Sequence, residues 1–210
     1  MTTIHPGLLA LGLTSLVLTA HPAAAQDQPP DTLPRQVPAG PGDLAPKIGK
    51  LCRIQIAPAF RYLGGQRFIL QGTADAEQHF YARADTAGRI IQLYWFQAES
   101  RLPGKGGGYD YSRDSVRTLD DLSWAVAVQG GRGDPRPGSD GAAMQAFVEA
   151  AGLTFPPMGA SLRMVYLPKP GARQELMAVY LESKAIARGD ASFEGVLKRG
   201  RRGLRFVPCR

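Results

Sequence analysis

The chain holds only two cysteines, Cys52 and Cys209, and they bracket almost everything in it that reads as foldable. If they are bonded, the first and last segments of the domain must be neighbours, which removes every architecture that keeps its ends apart. Whether they bond depends on the compartment, because disulfides persist outside the reducing cytosol. The first 25 residues speak to that: they contain no Asp, Glu, Lys or Arg and are almost unbrokenly apolar from Leu8 to Ala20. A helix break follows at His21-Pro22, and then Ala23-Ala24-Ala25 before Gln26. This is the pattern of a cleavable signal peptide, with cleavage expected after Ala25. The run is shorter than the ~20 apolar residues that cross a bilayer, and Cys52 lies too far from the cleavage site to carry a lipid. Arg exceeds Lys and Ala and Gly are abundant, a GC-rich bacterial bias that favours the periplasm. The expected location is therefore periplasmic or secreted, with Cys52 bonded to Cys209. So long a closure contributes roughly 5 kcal/mol as an upper figure in the chain-entropy model. Cysteines so far apart do not make a redox motif, whose two thiols lie close in sequence.

Residues 26–50 carry Pro29, Pro30, Pro34, Pro38, Pro41 and Pro46. Each proline removes a backbone donor and restricts its predecessor, so the segment is expected to be an extended, solvated, Pro-rich disordered tether. The remaining residues, 51–210, suffice for a single domain with one core.

Within that domain the pattern is mostly of strands. Cys52 to Ile56 and Arg67 to Gln71 are short alternating runs, with Ala57-Pro58 and Gly64-Gly65 read as turns. Glu77 to Ala84 and Arg89 to Glu99 flank Asp85-Thr86-Ala87-Gly88, a type I turn by its Asp and Gly. Leu122 to Val128 alternates as a half-buried strand, Ser161 to Leu167 and Glu175 to Leu181 form a second hairpin, and Leu204 to Val207 closes the chain. One main helix is expected over 140–151, capped by Ser139 or Asp140 and ended by Gly152, with Ala143, Met144, Phe147, Ala150 and Ala151 facing the core. A short helical turn is allowed near Ser183 to Arg188. The sum is an α+β domain: a mainly antiparallel, curved or partly closed sheet of about six to eight strands with one main helix.

The chemical inventory is thin. His5 and His21 leave with the signal, so His79 is the only imidazole of the mature chain. That excludes two-histidine zinc motifs, and no metal site or cofactor is expected. No run repeats Asp or Asn in the spacing of a calcium loop. Gly104-Lys105-Gly106-Gly107-Gly108 lacks the ending of a phosphate-binding loop and reads as a mobile loop. Arg132-Gly133-Asp134 matches an adhesion tripeptide but sits among prolines and glycines and is given no role.

The strand through Glu77, His79, Tyr81 and Arg83 puts those four on one face and Gln78, Phe80, Ala82 and Ala84 on the other. The four are the candidate ligand-binding residues, the alternative being a strand that faces solvent. Pairing across the hairpin is open between two registers, the first favoured by the hydrophobic pattern and the second by the turn chemistry. A tight two-residue loop places Gln92, Tyr94 and Phe96 on the His79 face, whereas a bulge at Gly88 places Ile91, Leu93 and Trp95 there. The net charge of +7 belongs to the mature chain, and Lys198, Arg199, Arg201, Arg202, Arg205 and Arg210 gather at its end around a Gly-Arg-Arg-Gly turn. Such a stretch suits an anionic envelope surface; nucleic acid is not an expected partner of an exported protein. The leading expectation is a periplasmic binding or accessory protein for a small amphipathic or anionic ligand. The alternatives are a hydrolase or isomerase using His79 with Glu77 or Glu99, and a structural envelope protein.

Overall fold

The computed structural model describes residues 37–40, 42–130 and 134–209. The expected signal peptide, the first part of the Pro-rich segment and Arg132-Gly133 lie outside them. Four strands, β1 (Val37–Gly40), β2 (Asp43–Ala45), β3 (Leu51–Ile56) and β11 (Leu204–Pro208), form a small antiparallel sheet in the order β1-β2-β3-β11. Seven more form the main sheet: β4 (Arg61–Leu70), β5 (Ala74–Ala84), β6 (Ile90–Arg101), β7 (Ser115–Leu119), β8 (Leu122–Gly130), β9 (Met158–Tyr166) and β10 (Gln174–Ser183). Their order is β4-β5-β6-β10-β9-β8-β7, antiparallel throughout. The helices are α1 (Asp140–Ala150), α2 (Lys184–Ala187) and α3 (Phe193–Arg202). The expected α+β class, antiparallel sheet and main helix are all present. The sheet is open, with β4 and β7 as its edges. It has no need to close, because other elements cover both its faces.

One face meets the small sheet and α3. There Tyr81, Tyr94, Phe96, Trp124, Leu162 and Tyr180 pack with Leu44, Ile54, Val196 and Phe206, and Trp124 stacks on Phe206 at 3.9 Å between centroids. The opposite face meets α1, with Phe80, Leu93, Trp95, Val179 and Leu181 against Met144 and Val148. Cover on both sides explains why β5, β6 and β10 are buried along nearly their whole length. The edge-ward β8 keeps the expected alternation, with Leu122, Trp124 and Val126 buried and Ser123 exposed.

Four expectations change. The domain begins before residue 51: Leu44 and Ile48 are core residues at 0 % and 2 % exposure, and Pro38 is tolerated because β1 is an edge strand. Gly64-Gly65 is not a turn; β4 runs through it, with an irregularity between Tyr62 and Gly64 where Gly64 takes φ +126°. In α1 the fully buried positions are Met144 and Val148, while Ala150 and Ala151 are exposed; an i, i+4 pair is what meets the sheet. Ser139 caps this helix, its Oγ accepting from Ala142 N at 3.2 Å. Finally, the Lys198 to Gly203 stretch is the end of α3 and not a turn. Ser192 caps it by accepting from Gly195 N at 3.1 Å, and a Cβ on Gly200 would lie 2.6 Å from Leu162 Cδ2. That glycine, costly in an exposed helix, is what brings α3 onto the sheet.

Cys52 and Cys209 are bonded, 157 residues apart with Cα atoms 5.0 Å from each other. The bridge ties β3 to the residue that follows its partner strand β11, next to a hydrogen bond from Cys209 N to Lys50 O at 2.8 Å. Among the described residues no helix is long and apolar enough to cross a membrane.

Candidate functional site

Both hairpin cues operate, and they cancel. Asp85 N donates to Arg89 O at 2.9 Å and Gly88 sits at φ +76°, the bulged turn its chemistry demands. A second bulge follows: Ala84 pairs with Ile90 but Arg83 pairs with Gln92, leaving Ile91 extra. Two one-residue slips restore the original parity. Tyr81 therefore opposes Tyr94 and His79 opposes Phe96, while Phe80 opposes Trp95.

The His79 face is interior. Glu77, His79 and Tyr81 are 7 %, 5 % and 0 % exposed, so neither a solvent-facing strand nor an open ligand-lining row describes them; the small sheet and its neighbours cover that side. Glu77 Oε1 and His79 Nε2 are 2.8 Å apart, and His79 Nδ1 is 2.8 Å from the Tyr62 hydroxyl. Gly65 makes room for this chain, since a Cβ there would lie 2.7 Å from His79 Nδ1. Burial, then the charge of Glu77, raises the pKa of Tyr62; burial raises that of Tyr81. Arg83 lies at the exposed end of the row and donates to Gln92 Oε1 at 2.6 Å. Glu99, the other carboxylate considered for His79, is on the opposite face, opposed by Ala76 and Glu175.

That second face carries a buried polar row that the sequence reading did not single out. Gln66 Nε2 donates to Gln78 Oε1 at 2.7 Å and to Ala143 O at 2.9 Å. Gln78 Nε2 donates to Gln97 Oε1 at 2.5 Å and to Asp140 O at 3.1 Å, and Gln97 Nε2 donates to Glu99. The amides thus fix the first turn of α1 on the sheet. Beyond them Glu99 faces Glu175 across the ladder, at 6 % and 2 % exposure. Tyr109 OH donates to Glu99 Oε2 at 2.8 Å and Tyr111 OH to Glu175 Oε1 at 3.0 Å. Arg101 lies over the Tyr109 ring at 4.3 Å and Arg163 over the Tyr111 ring at 5.3 Å. Burial, then the facing Glu99, pushes the Glu175 carboxyl up to about 8; burial also raises Glu99. The sequence did hold a signal: Gln78, Gln97 and Glu99 share the parity of Phe80 and Trp95, so polar groups fall on an apolar face.

Next to this row, between the first turn of α1 and the sheet, is a cleft of about 340 Å³ lined in part by Trp95, Ser139, Met144, Ser161, Arg163 and Met177. Trp95 Nε1 and Arg163 Nε are buried N–H donors without a hydrogen-bond partner, an arrangement that costs free energy unless an acceptor arrives. Arg163 Nη2 donates to Asp114 Oδ2 at 2.7 Å. A larger groove of about 630 Å³ is lined by Tyr109, Tyr111, Trp124 and Tyr166 among others. Among the described residues no group of three or more His, Cys, Asp or Glu is placed to hold a metal. In α3, Arg199 is held by Glu182 at 2.6 Å and Arg201 by Asp120 at 2.5 Å; among the described residues of the basic stretch, the exposed cations are Lys198 and Arg202 of α3 and Arg205 of β11.

Comparison with protein-family models, with curated proteins and with solved structures finds no match to this chain.

Proposed function

We propose that the chain is an exported protein, periplasmic or secreted, that binds a small amphipathic ligand with an anionic head in the cleft between α1 and the main sheet. The observation that carries this reading is the pair of buried donors, Trp95 Nε1 and Arg163 Nε, on residues that line a cleft whose other walls include Met144, Met177, Val179 and Leu181. A few placed polar groups over an apolar floor are the usual composition of a small-molecule site, and the size lies at the small end of the ordinary range. The ligand's head pairs with the two donors while its tail covers the methionines. Glu77, His79 and Tyr81, given this role by the sequence, instead hold β4, β5 and β6 together. The signal pattern and the disulfide support the exported location. The test is a thermal-shift titration of the mature protein with hexanoate and phenylacetate. Stabilisation that Arg163→Gln removes is expected; no stabilisation by any small carboxylate contradicts the reading.

A second reading rests on the Glu77–His79–Tyr62 chain, whose two 2.8 Å contacts are the geometry of an oriented general base beside a hydroxyl. In a hydrolase or isomerase Tyr62, half-buried on the edge strand, would meet the substrate. Turnover of activated esters that is identical in wild type and His79→Ala removes this alternative.

A further inference from the structure

Residues 102–114, which join β6 to β7, carry three side chains that grip the sheet face of the ligand cleft. Tyr109 binds Glu99; Tyr111 binds Glu175 and covers the Arg163 guanidinium; Asp114 accepts from Arg163. Tyr111, which borders the larger groove, packs its ring on the guanidinium of Arg163, which borders the cleft. Its backbone is tied at Tyr109 N to Ala172 O, 2.8 Å, and Gly108 packs so close that a Cβ would lie 1.9 Å from Gly171 O. The stretch before it is exposed and rich in glycine, with Gly104 and Gly106 at φ +72° and +58°, backbone that other residues rarely adopt.

We propose that residues 102–114 are a proton-controlled strap: while Glu175 is protonated the strap is latched and holds the Arg163 guanidinium through Asp114 and Tyr111, and loss of that proton opens it and makes the whole guanidinium available to the anionic head of the ligand. The last clause rests on the ligand reading above; the strap itself does not. Two carboxylates directly opposed on neighbouring strands repel when both are charged. Glu175 Oε2 is buried without a partner, so a charge there has no solvation to replace the water it left. The titratable groups that face the pair are Arg101 on β6, Arg163 on β9, Asp140 at the start of α1, and Tyr109 and Tyr111 on the strap, with Asp114 behind Arg163. The Tyr111 hydrogen bond and the two arginines favour the charged state of Glu175; the Tyr109 and Gln97 hydrogen bonds favour that of Glu99, and Asp140 opposes it. Burial and the facing carboxylate outweigh the Tyr111 hydrogen bond and the arginines, leaving Glu175 at about 8. Opening admits water and returns the pair toward the ordinary carboxyl range. The latched state therefore binds the proton more tightly, and the opening constant rises about tenfold per pH unit until about pH 8.

The test is hydrogen exchange of the 102–114 amides in the mature, ligand-free protein between pH 6 and 9, corrected for intrinsic rates. Protection in the wild type should fall about tenfold per unit up to about pH 8, while Glu175→Gln should hold a constant, high protection. Protection that ignores pH in the wild type, or follows the same pH course in Glu175→Gln, overturns the strap. Should that variant not fold, Tyr111→Phe removes one of the three side-chain ties of the strap. It should speed the exchange of the 102–114 amides at pH 6, and unchanged protection overturns the proposal. Hexanoate titration at both pH values separates the two ideas. Strap opening without hexanoate binding sinks only the ligand reading, and binding without strap opening sinks only the strap.

Discussion

Glu99 and Glu175 face each other across the β6–β10 ladder, and each accepts a hydrogen bond from a different tyrosine of one short segment. The folded protein holds Glu175 at about 8, against 4.5 for an ordinary glutamate. A raised carboxyl means that the folded state binds more protons than the unfolded one between those values. Stability should therefore be highest near pH 5, fall as pH rises toward 8 and level off above it, by roughly 4 kcal/mol at most. Urea unfolding at pH 5 and pH 8.5 checks this. Glu175→Gln, which mimics the protonated acid, should flatten the dependence and exceed the wild type at pH 8.5.

Gly65 and Gly107 make a matched pair for testing the Tyr62–His79–Glu77 chain. A Cβ on Gly65 would lie 2.7 Å from both Gln78 O and His79 Nδ1, whereas one on Gly107 meets nothing within 4 Å. Gly65→Ala should cost about 1–3 kcal/mol and displace the imidazole. Gly107→Ala should stay within about 0.5 kcal/mol of wild type. Thermal unfolding and the His79 ring resonances report the two effects.

The basic end of the chain divides into structural and exposed cations. Arg199 pairs with Glu182, whose side chain is 0 % exposed, so Arg199→Gln strands a buried charge and should cost about 3 kcal/mol. Changing Lys198, Arg202 and Arg205 to Gln together should leave stability unchanged. If an envelope surface is a partner, the triple change should lower binding to vesicles containing anionic lipid. That loss should be measurable at low salt and vanish at high salt, where exposed charges are screened.

Much of the architecture was legible because local chemistry and periodicity agreed. The Asp85 to Gly88 turn, the Leu122 to Val128 alternation, the Ser139 cap and the pairing of Cys52 with Cys209 all read directly from their residues. Three features were hidden because tertiary contact overrides local preference. Gly200 looks like a turn until Leu162 and Tyr180 are known to press against it. Leu44 and Ile48 are two apolar residues in a proline-rich run, and only the edge of the small sheet gives them a core to enter. The register at His79 is the one the hydrophobic pattern favours, but what reconciles it with the bulged turn is the Ile91 bulge, which has no signature in sequence. The candidate cleft was missed for a different reason. Reading β5 as half-exposed assigned the polar residues to one side, while cover on both faces buried polar rows on each.

The most direct measurement is native mass spectrometry of the mature protein taken from its own compartment, in wild type and Arg163→Gln. Ligand binding in the α1 cleft predicts a small bound mass on the wild type that is lost, by about tenfold or more, in the variant. A wild-type mass equal to the bare mature chain, or a bound mass that Arg163→Gln leaves untouched, would contradict it.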